Sequence, residues 1–310
     1  MDELLSAFRL ITALAFMSFA SVMDWRTRKV SPRVWITLGI AGLVFLAIQM
    51  FFSETTIRFI GTEPTFNPVH YLIFIPIAIV FFDIFWDREP IYDDGKVNFL
   101  PILLYAIAAA TAFGIVYLEG ATKETGMLLA IPAVMCVFIG FYYLGVIRGG
   151  ADAKALLALA IVFPVYPIIQ NFPLIAYPET ASEVLQITFP FTFLILMNGA
   201  IIHALAGPTT RFFTNLARRD FGFPEMFLGY RMDIADVPKK FVWPMEAVRE
   251  DEIVLVLFPK RSGKITDELL KLRAKGLDRI WVTPKDPFII PMTLGIVMSV
   301  IIGNLVMLFF

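Results

Sequence analysis

Residues 4–52 read LLSAFRLITALAFMSFASVMDWRTRKVSPRVWITLGIAGLVFLAIQMFF, and this stretch decides the fold. Two runs of about twenty mostly apolar residues flank a short connection that carries Arg26, Arg28, Lys29 and Arg33. At about 1.5 Å of rise per residue, each run is long enough as a helix to cross a hydrocarbon core of roughly 30 Å. Similar windows recur at 69–86, 98–118, 127–147, 152–170, 184–206 and 288–309, which with 4–24 and 33–52 makes eight spans. Composition agrees: 58% of the chain is hydrophobic and 17% charged, where soluble domains lie nearer about half and a quarter. The fold class predicted is an all-α polytopic membrane protein with about eight transmembrane helices. Pro164 and Pro167 interrupt the sixth span and predict a kinked or partly re-entrant segment.

Loop charge orients the spans, because Lys and Arg near span ends are retained on the cytoplasmic side. The third connection holds Arg88 and Lys96, the fifth Arg148 and Lys154, and the long segment after span seven holds fifteen Lys and Arg; the alternate loops hold only Arg58 and Lys123. The odd-numbered connections are therefore expected in the cytoplasm of a multi-pass plasma-membrane protein, with both termini outside. Met1-Asp2-Glu3 is acidic where a secretory signal is basic, so the first span reads as a mature helix. Net charge is −1, which gives no basic excess for nucleic acid.

Residues 207–287 are the one stretch polar enough to fold in water. EIVLVLFP and DRIWVTP read as strands around the helical pattern ITDELLKLRAKG, with Gly276 at the helix C-cap. The expected organisation is a transmembrane core over 1–206, a cytoplasmic α/β subdomain over 207–287 and a C-terminal transmembrane helix over 288–310. The lone Cys136 excludes an intrachain disulfide and reads as a buried small hydrophobe.

Ionisable residues in or at the ends of spans are functional candidates, because a charge near hydrocarbon is expensive unless compensated. Arg9, Asp24, Asp83, Asp152 and His203 qualify. Asp24 closes the first span in SFASVMDWRTRKVSPRVW, and Asp152 opens the sixth in RGGADAKALLAL; the charge-based topology puts both at the cytoplasmic surface. Two carboxyls at one depth suit peptide hydrolysis: an ionised one activates water while its protonated partner polarises the scissile carbonyl. Helix dipoles suggest that Asp152, at a helix N-terminus, is the base and that Asp24, at a C-terminus, carries the proton. Gly149 and Gly150 allow positive φ and close approach of an extended substrate backbone.

The pairing of D-x-R-x-R/K after the first span with G-G-A-D-x-K at 149–154 resembles the archaeal branch of the type IV prepilin/preflagellin peptidases, GxGD-type intramembrane aspartic proteases. PFIIPMTLGIVMSVIIGN (287–304) is similar to that family's C-terminal segment. Ala151 stands at the third position of the GxGD form, as in the archaeal variant. The resemblance implies catalytic Asp24 and Asp152, substrate-binding Gly149 and Gly150, no metal and no organic cofactor. It also implies precursor substrates, pilin-like or archaellin, whose class III signal peptides are cut at the cytoplasmic face.

Blander readings stand beside these. Asp24 and Asp152 are also suited to capping helices or pairing with Arg26, Arg28 or Lys154. Asp83, in VFFDIFWD, is a rival catalytic carboxyl without flanking glycine. His203 and Asn198 read as interhelical hydrogen-bond partners rather than metal ligands. FPKRSGKIT lacks the first glycine and the Ser/Thr of a phosphate loop, and Asp93-Asp94-Gly95 reads as a turn. The alternative class is an ion- or proton-coupled transporter using Asp24, Asp83 and Asp152. Carriers hold such residues near the bilayer midplane, whereas these fall at one surface.

Overall fold

The structure is a computed structural model that describes residues 2–52, 68–86, 92–93, 96–147, 149–167, 169–175, 189–257 and 265–305. Arg58, Arg88, Arg148, Asp94, Gly95, residues 184–188 of the seventh expected span, 306–309 of the eighth, and 258–264 of the phosphate-loop-like string lie outside the described residues. The chain divides into two compact units, Met1–Ala200 with Phe288–Phe310, and Ile201–Pro287.

The elements in order are α1 (Asp2–Thr27), α2 (Pro32–Phe52), a 3-10 turn (Pro68–Ile73) leading into α3 (Phe74–Asp83), a minimal antiparallel pair β1 (Tyr92–Asp93) and β2 (Lys96–Val97), α4 (Phe99–Glu119), α5 (Lys123–Tyr143), α6 (Gly150–Val162) and α7 (Phe191–Arg218). Next come α8 (Glu225–Leu228), β3 (Tyr230–Asp233), a 3-10 turn (Ile234–Lys239), β4 (Val242–Pro244), β5 (Glu246–Arg249), β6 (Glu252–Leu255), α9 (Ile265–Ala274), β7 (Arg279–Pro284) and α10 (Ile289–Ile301). Among the described residues α1, α2, α4, α5 and α7 are long and apolar enough to cross a membrane. Their outward side chains, among them Phe8, Phe19, Phe113 and Tyr117, are large and apolar. That is what a helix in hydrocarbon presents, since its backbone groups are satisfied internally.

Three expected spans form shorter helices, each for a local reason. The third begins as a 3-10 turn at Pro68 and ends at Asp83. The sixth stops at Val162, ahead of Pro164, as proline's clash with the preceding turn requires. The eighth stops at Ile301, where Gly303 takes φ +96° and its amide donates to the Met298 carbonyl at 3.0 Å. The seventh instead starts after Pro190 and runs through Gly207-Pro208 to Arg218 without a break. Cys136 corrects the expectation of burial: it lies on the exposed face of α5, as a lipid-facing residue would.

The shortened α6 is the centre of the first unit, with residues 153 and 155–162 buried. Alternating alanines let neighbours approach closely: a Cβ on Gly42 of α2 would meet the Val162 amide nitrogen at 2.9 Å. On α5, Phe138 packs against Phe193 of α7 at 4.8 Å between ring centres.

In the second unit β7 is the middle strand of an antiparallel sheet ordered β3-β7-β4, with Tyr230 opposite Val282 and Val242 opposite Pro284. Leu269 and Leu272, three residues apart on α9, are buried with Ile280 and Val282 in one core. Each such side chain contributes about 1.5–3 kcal/mol on burial. Asp267 and Glu268 in the first turn and Lys271 and Arg273 in the last suit the α9 dipole, and Gly276 at φ +83° closes it.

Between β5 and β7, burial pushes the Glu246 carboxyl up from its ordinary value; the Trp281 backbone N–H and Arg231 oppose the rise, and Glu225 adds to it. A raised folded value means that this group's stabilisation is complete below the unfolded carboxyl value, about 4.3, and is lost as pH rises through the folded one. Glu246→Gln is therefore expected to raise the thermal unfolding midpoint by about 1–3 °C at pH 7 and to change it little at pH 4.

Candidate functional site

Asp24 lies one turn before the end of α1, half-buried. The helix closes with Arg28 in the left-handed region at φ 55°, its amide donating to the Asp24 carbonyl at 3.0 Å. That turn folds Arg28 back toward its own helix. Its guanidinium lies 5.8 Å from the Trp25 ring centre and faces the Asp24 carboxyl. The carboxyl accepts a hydrogen bond from the backbone N–H of Ile289, in the first turn of α10. This contact sets the first turn of α10 beside the α1 C-terminus at Asp24. Asp24 thus closes one helix and faces the N-terminus of another, whereas Asp152 lies at a helix N-terminus alone.

Asp152 is the third residue of α6, whose N-cap is Gly149. Its carboxyl folds back over the Gly149 Cα: a Cβ there would meet Asp152 Cγ at 2.7 Å and its Oδ2 still more closely. Gly149 has φ −96° and ψ 121°, an extended conformation open to any residue. The expected left-handed backbone is thus corrected, and what glycine supplies at 149 is room for the carboxyl. At Gly150 a Cβ would lie 3.5 Å from the Tyr142 hydroxyl of α5.

Three contacts set the level of these groups along the bundle. Arg9 donates to Gln49 Oε1 at 2.7 Å across the antiparallel α1–α2 hairpin. Fifteen residues on from Arg9 is Asp24 and fifteen back from Gln49 is Val34, so those two lie level. Gly42 of α2 abuts Ile161 and Val162 of α6, Gly39 abuts the Phe81 ring of α3, and Lys154 Nζ of α6 lies 5.1 Å from the Phe85 ring centre. These agree when α2 and α6 run in the same direction and α3 opposite to both; an antiparallel α2–α6 pairing would leave Phe85 at least about 10 Å from the level of Lys154 whichever way α3 runs. Eight residues back from Gly42 is Val34, and eight back from Ile161 is Ala153. Asp24 and Asp152 therefore lie within about one helical turn of the same level, on helices in contact.

Asp83 lies near this end too, its carboxyl accepting from the Tyr105 hydroxyl at 3.0 Å. Asn198 is an interhelical partner, donating to Ser299 Oγ at 2.9 Å and to the Gly303 carbonyl at 2.8 Å. Arg9 sits at the opposite end of α1, buried, and His203 is in the second unit, half-buried. Among the described residues no group of three or more His, Cys, Asp or Glu is placed to hold a metal ion. The Ile289 amide and Tyr142 were not read from the sequence. The similarity of 287–304 to a family C-terminal segment was the signal available for the first, and nothing in the local pattern marked the second.

Residues 223–305 match the family described as Archaeal Peptidase A24 C-terminus Type II. A preflagellin peptidase of Methanocaldococcus jannaschii is 24% identical over 220 residues, 64% of this chain and 84% of its own length. Both similarities support the archaeal A24 peptidases as this chain's relatives. The segment matched to the family runs from before α8 to the end of α10 and so includes the turn that meets Asp24. Neither comparison favours a carrier. Gly149→Ala is expected to swing the Asp152 carboxyl away and, with Asp152 in the role that the resemblance implies, to lower peptide cleavage about 10- to 100-fold. The thermal midpoint should change little, since the backbone there tolerates alanine; cleavage rate and unfolding measured on one preparation check this.

Proposed function

We propose that this peptidase is an intramembrane aspartic endopeptidase that removes class III leader peptides from type IV pilin-like or archaellin precursors. Asp24 and Asp152 are its catalytic pair, and Gly149 and Gly150 lie along the substrate backbone. The observation that carries the reading is the shared level of two half-buried carboxyls, each beside a helix N-terminus. Two carboxyls brought within a few ångströms of each other resist double ionisation, and in this mechanism the pair works with one proton between them. The ionised member takes a proton from water as it attacks the scissile carbonyl, and the protonated member gives its proton to the carbonyl oxygen. Collapse of the tetrahedral intermediate then returns a proton to the leaving amine. The basic residues Arg26, Arg28, Lys29 and Arg33 of the first connection support a cytoplasmic position for this end of the bundle, where the junction between leader and hydrophobic helix would arrive. The printed name of the M. jannaschii relative supports a preflagellin-type substrate.

The test is cleavage of a precursor bearing a class III leader by the full chain in lipid vesicles, with product masses read for the wild type, Asp24→Asn, Asp152→Asn and Asp83→Asn. Loss in the first two variants with retention in the third supports the reading. Wild-type processing by either of the first two rejects it.

A further inference from the structure

We propose that Ser21 and Thr293 form a clasp that holds the Ile289 amide on the Asp24 carboxyl, making the first turn of α10 a third element of the peptidase site. The inference rests on the reading of Asp24 as a catalytic carboxyl. Ser21 lies three residues before Asp24 on α1, and Thr293 four residues after Ile289 on α10, so each sits one turn from the group it serves. The two hydroxyl oxygens are 2.9 Å apart. Thr293 Oγ1 has two carbonyl acceptors, Ile289 on its own helix at 2.8 Å and Met17 of α1 at 3.4 Å; with its one proton on either, Ser21 is the donor to Thr293. The Ile289 residue is gripped at both ends, its carbonyl by Thr293 and its amide by Asp24.

The amides of a helix's first turn have no partner within the helix, which leaves the Ile289 N–H available to a carboxylate. Asn198 and the Gly199 crossing hold α10 against α7, but the apolar side chains between α1 and α10 do not by themselves fix the register of that pair. Met17 and Ala20 of α1 and Met292 and Ile296 of α10 are buried apolar side chains, and apolar contact is non-directional. A slide of α10 by a fraction of a turn keeps such contacts yet carries the amide out of hydrogen-bond range. The hydroxyl pair supplies the direction that the apolar surface lacks. Ser21 and Thr293 are thus positioning residues that act through Ile289 and touch no substrate.

The experiment uses the full chain in lipid vesicles with the same precursor and compares Thr293→Val, Thr293→Ser and Ser21→Ala. Thr293→Val keeps the side chain's shape and removes the hydroxyl; kcat is expected to fall about tenfold with KM within twofold, the size of one lost hydrogen bond in the rate-determining state. Thr293→Ser should recover most of that rate, and Ser21→Ala, a smaller perturbation that serves if the valine variant fails to fold, should match the valine variant. Wild-type kcat in Thr293→Val or Ser21→Ala, or a serine variant no better than valine, overturns the clasp. Asp24→Asn run in parallel separates the two levels. If it cleaves normally, the catalytic reading fails. If it is inactive while Thr293→Val and Ser21→Ala are normal, only the clasp fails.

Discussion

Asp24→Asn and Asp152→Asn are each expected to lower precursor cleavage by about a thousandfold or more, and the double variant to be little worse than either single one. An amide has nearly the shape of a carboxyl but neither gains nor loses a proton near neutral pH, so either replacement removes one half of a coupled acid–base pair. Once one half is gone the other has no partner with which to exchange the proton, and groups that act as a unit show this non-additivity. Two carboxyls with separate roles would give losses that multiply. The fold should survive both replacements, because each side chain is only half-buried and asparagine still accepts from the Ile289 amide or covers Gly149. Single-turnover cleavage of a leader-bearing precursor, with thermal unfolding of the same samples, gives both readouts.

Gly295→Ala is expected to be the most damaging single methyl at a crossing of two helix backbones in the first unit. Gly295 of α10 crosses α7 at Gly199 so closely that a Cβ would meet the Ile195 carbonyl oxygen at 2.6 Å and the Gly199 amide nitrogen at 2.9 Å. These are backbone atoms, so no rotamer change relieves the clash and the helices must part. Overpacking of this kind destabilises by about 1–3 kcal/mol, and small residues at helix crossings in hydrocarbon exist to prevent it. The shift also moves the first turn of α10, so activity should fall along with stability. A drop in the unfolding midpoint of several degrees together with reduced cleavage is the expected outcome. The contrasting variant is Gly114→Ala on α4, where a Cβ meets no atom within 4 Å and neither quantity should change.

The family resemblance was legible because it rests on short local strings around Asp24 and Asp152, and the helical class because long apolar windows are hard to mistake. Legibility failed where geometry depends on distant parts of the chain. The donor to Asp24 comes from Ile289, and no periodicity in either helix reports that contact. The Gly199–Gly295 crossing left a signal, a glycine within each of two apolar runs, that points to close packing only once the helices are known to meet. Helix length was misjudged where proline decides it: hydropathy carries the sixth window to 170, but the ring of Pro164 ends α6 at Val162. In the second unit the β5–β6 hairpin stayed hidden because its turn is Glu250-Asp251, both at positive φ, instead of the Asn-Gly type that marks such turns.

The claim on which the rest depends is that Asp24 and Asp152 lie together at one end of the bundle. Cysteines placed at 24 and 152 in a Cys136→Ser background, treated in lipid vesicles with a bifunctional thiol-alkylating reagent reaching no more than about 11 Å, two turns of helix, test it directly. Efficient intramolecular cross-linking at low protein concentration is the expected result. Cross-linking only by reagents of more than about 20 Å would contradict it.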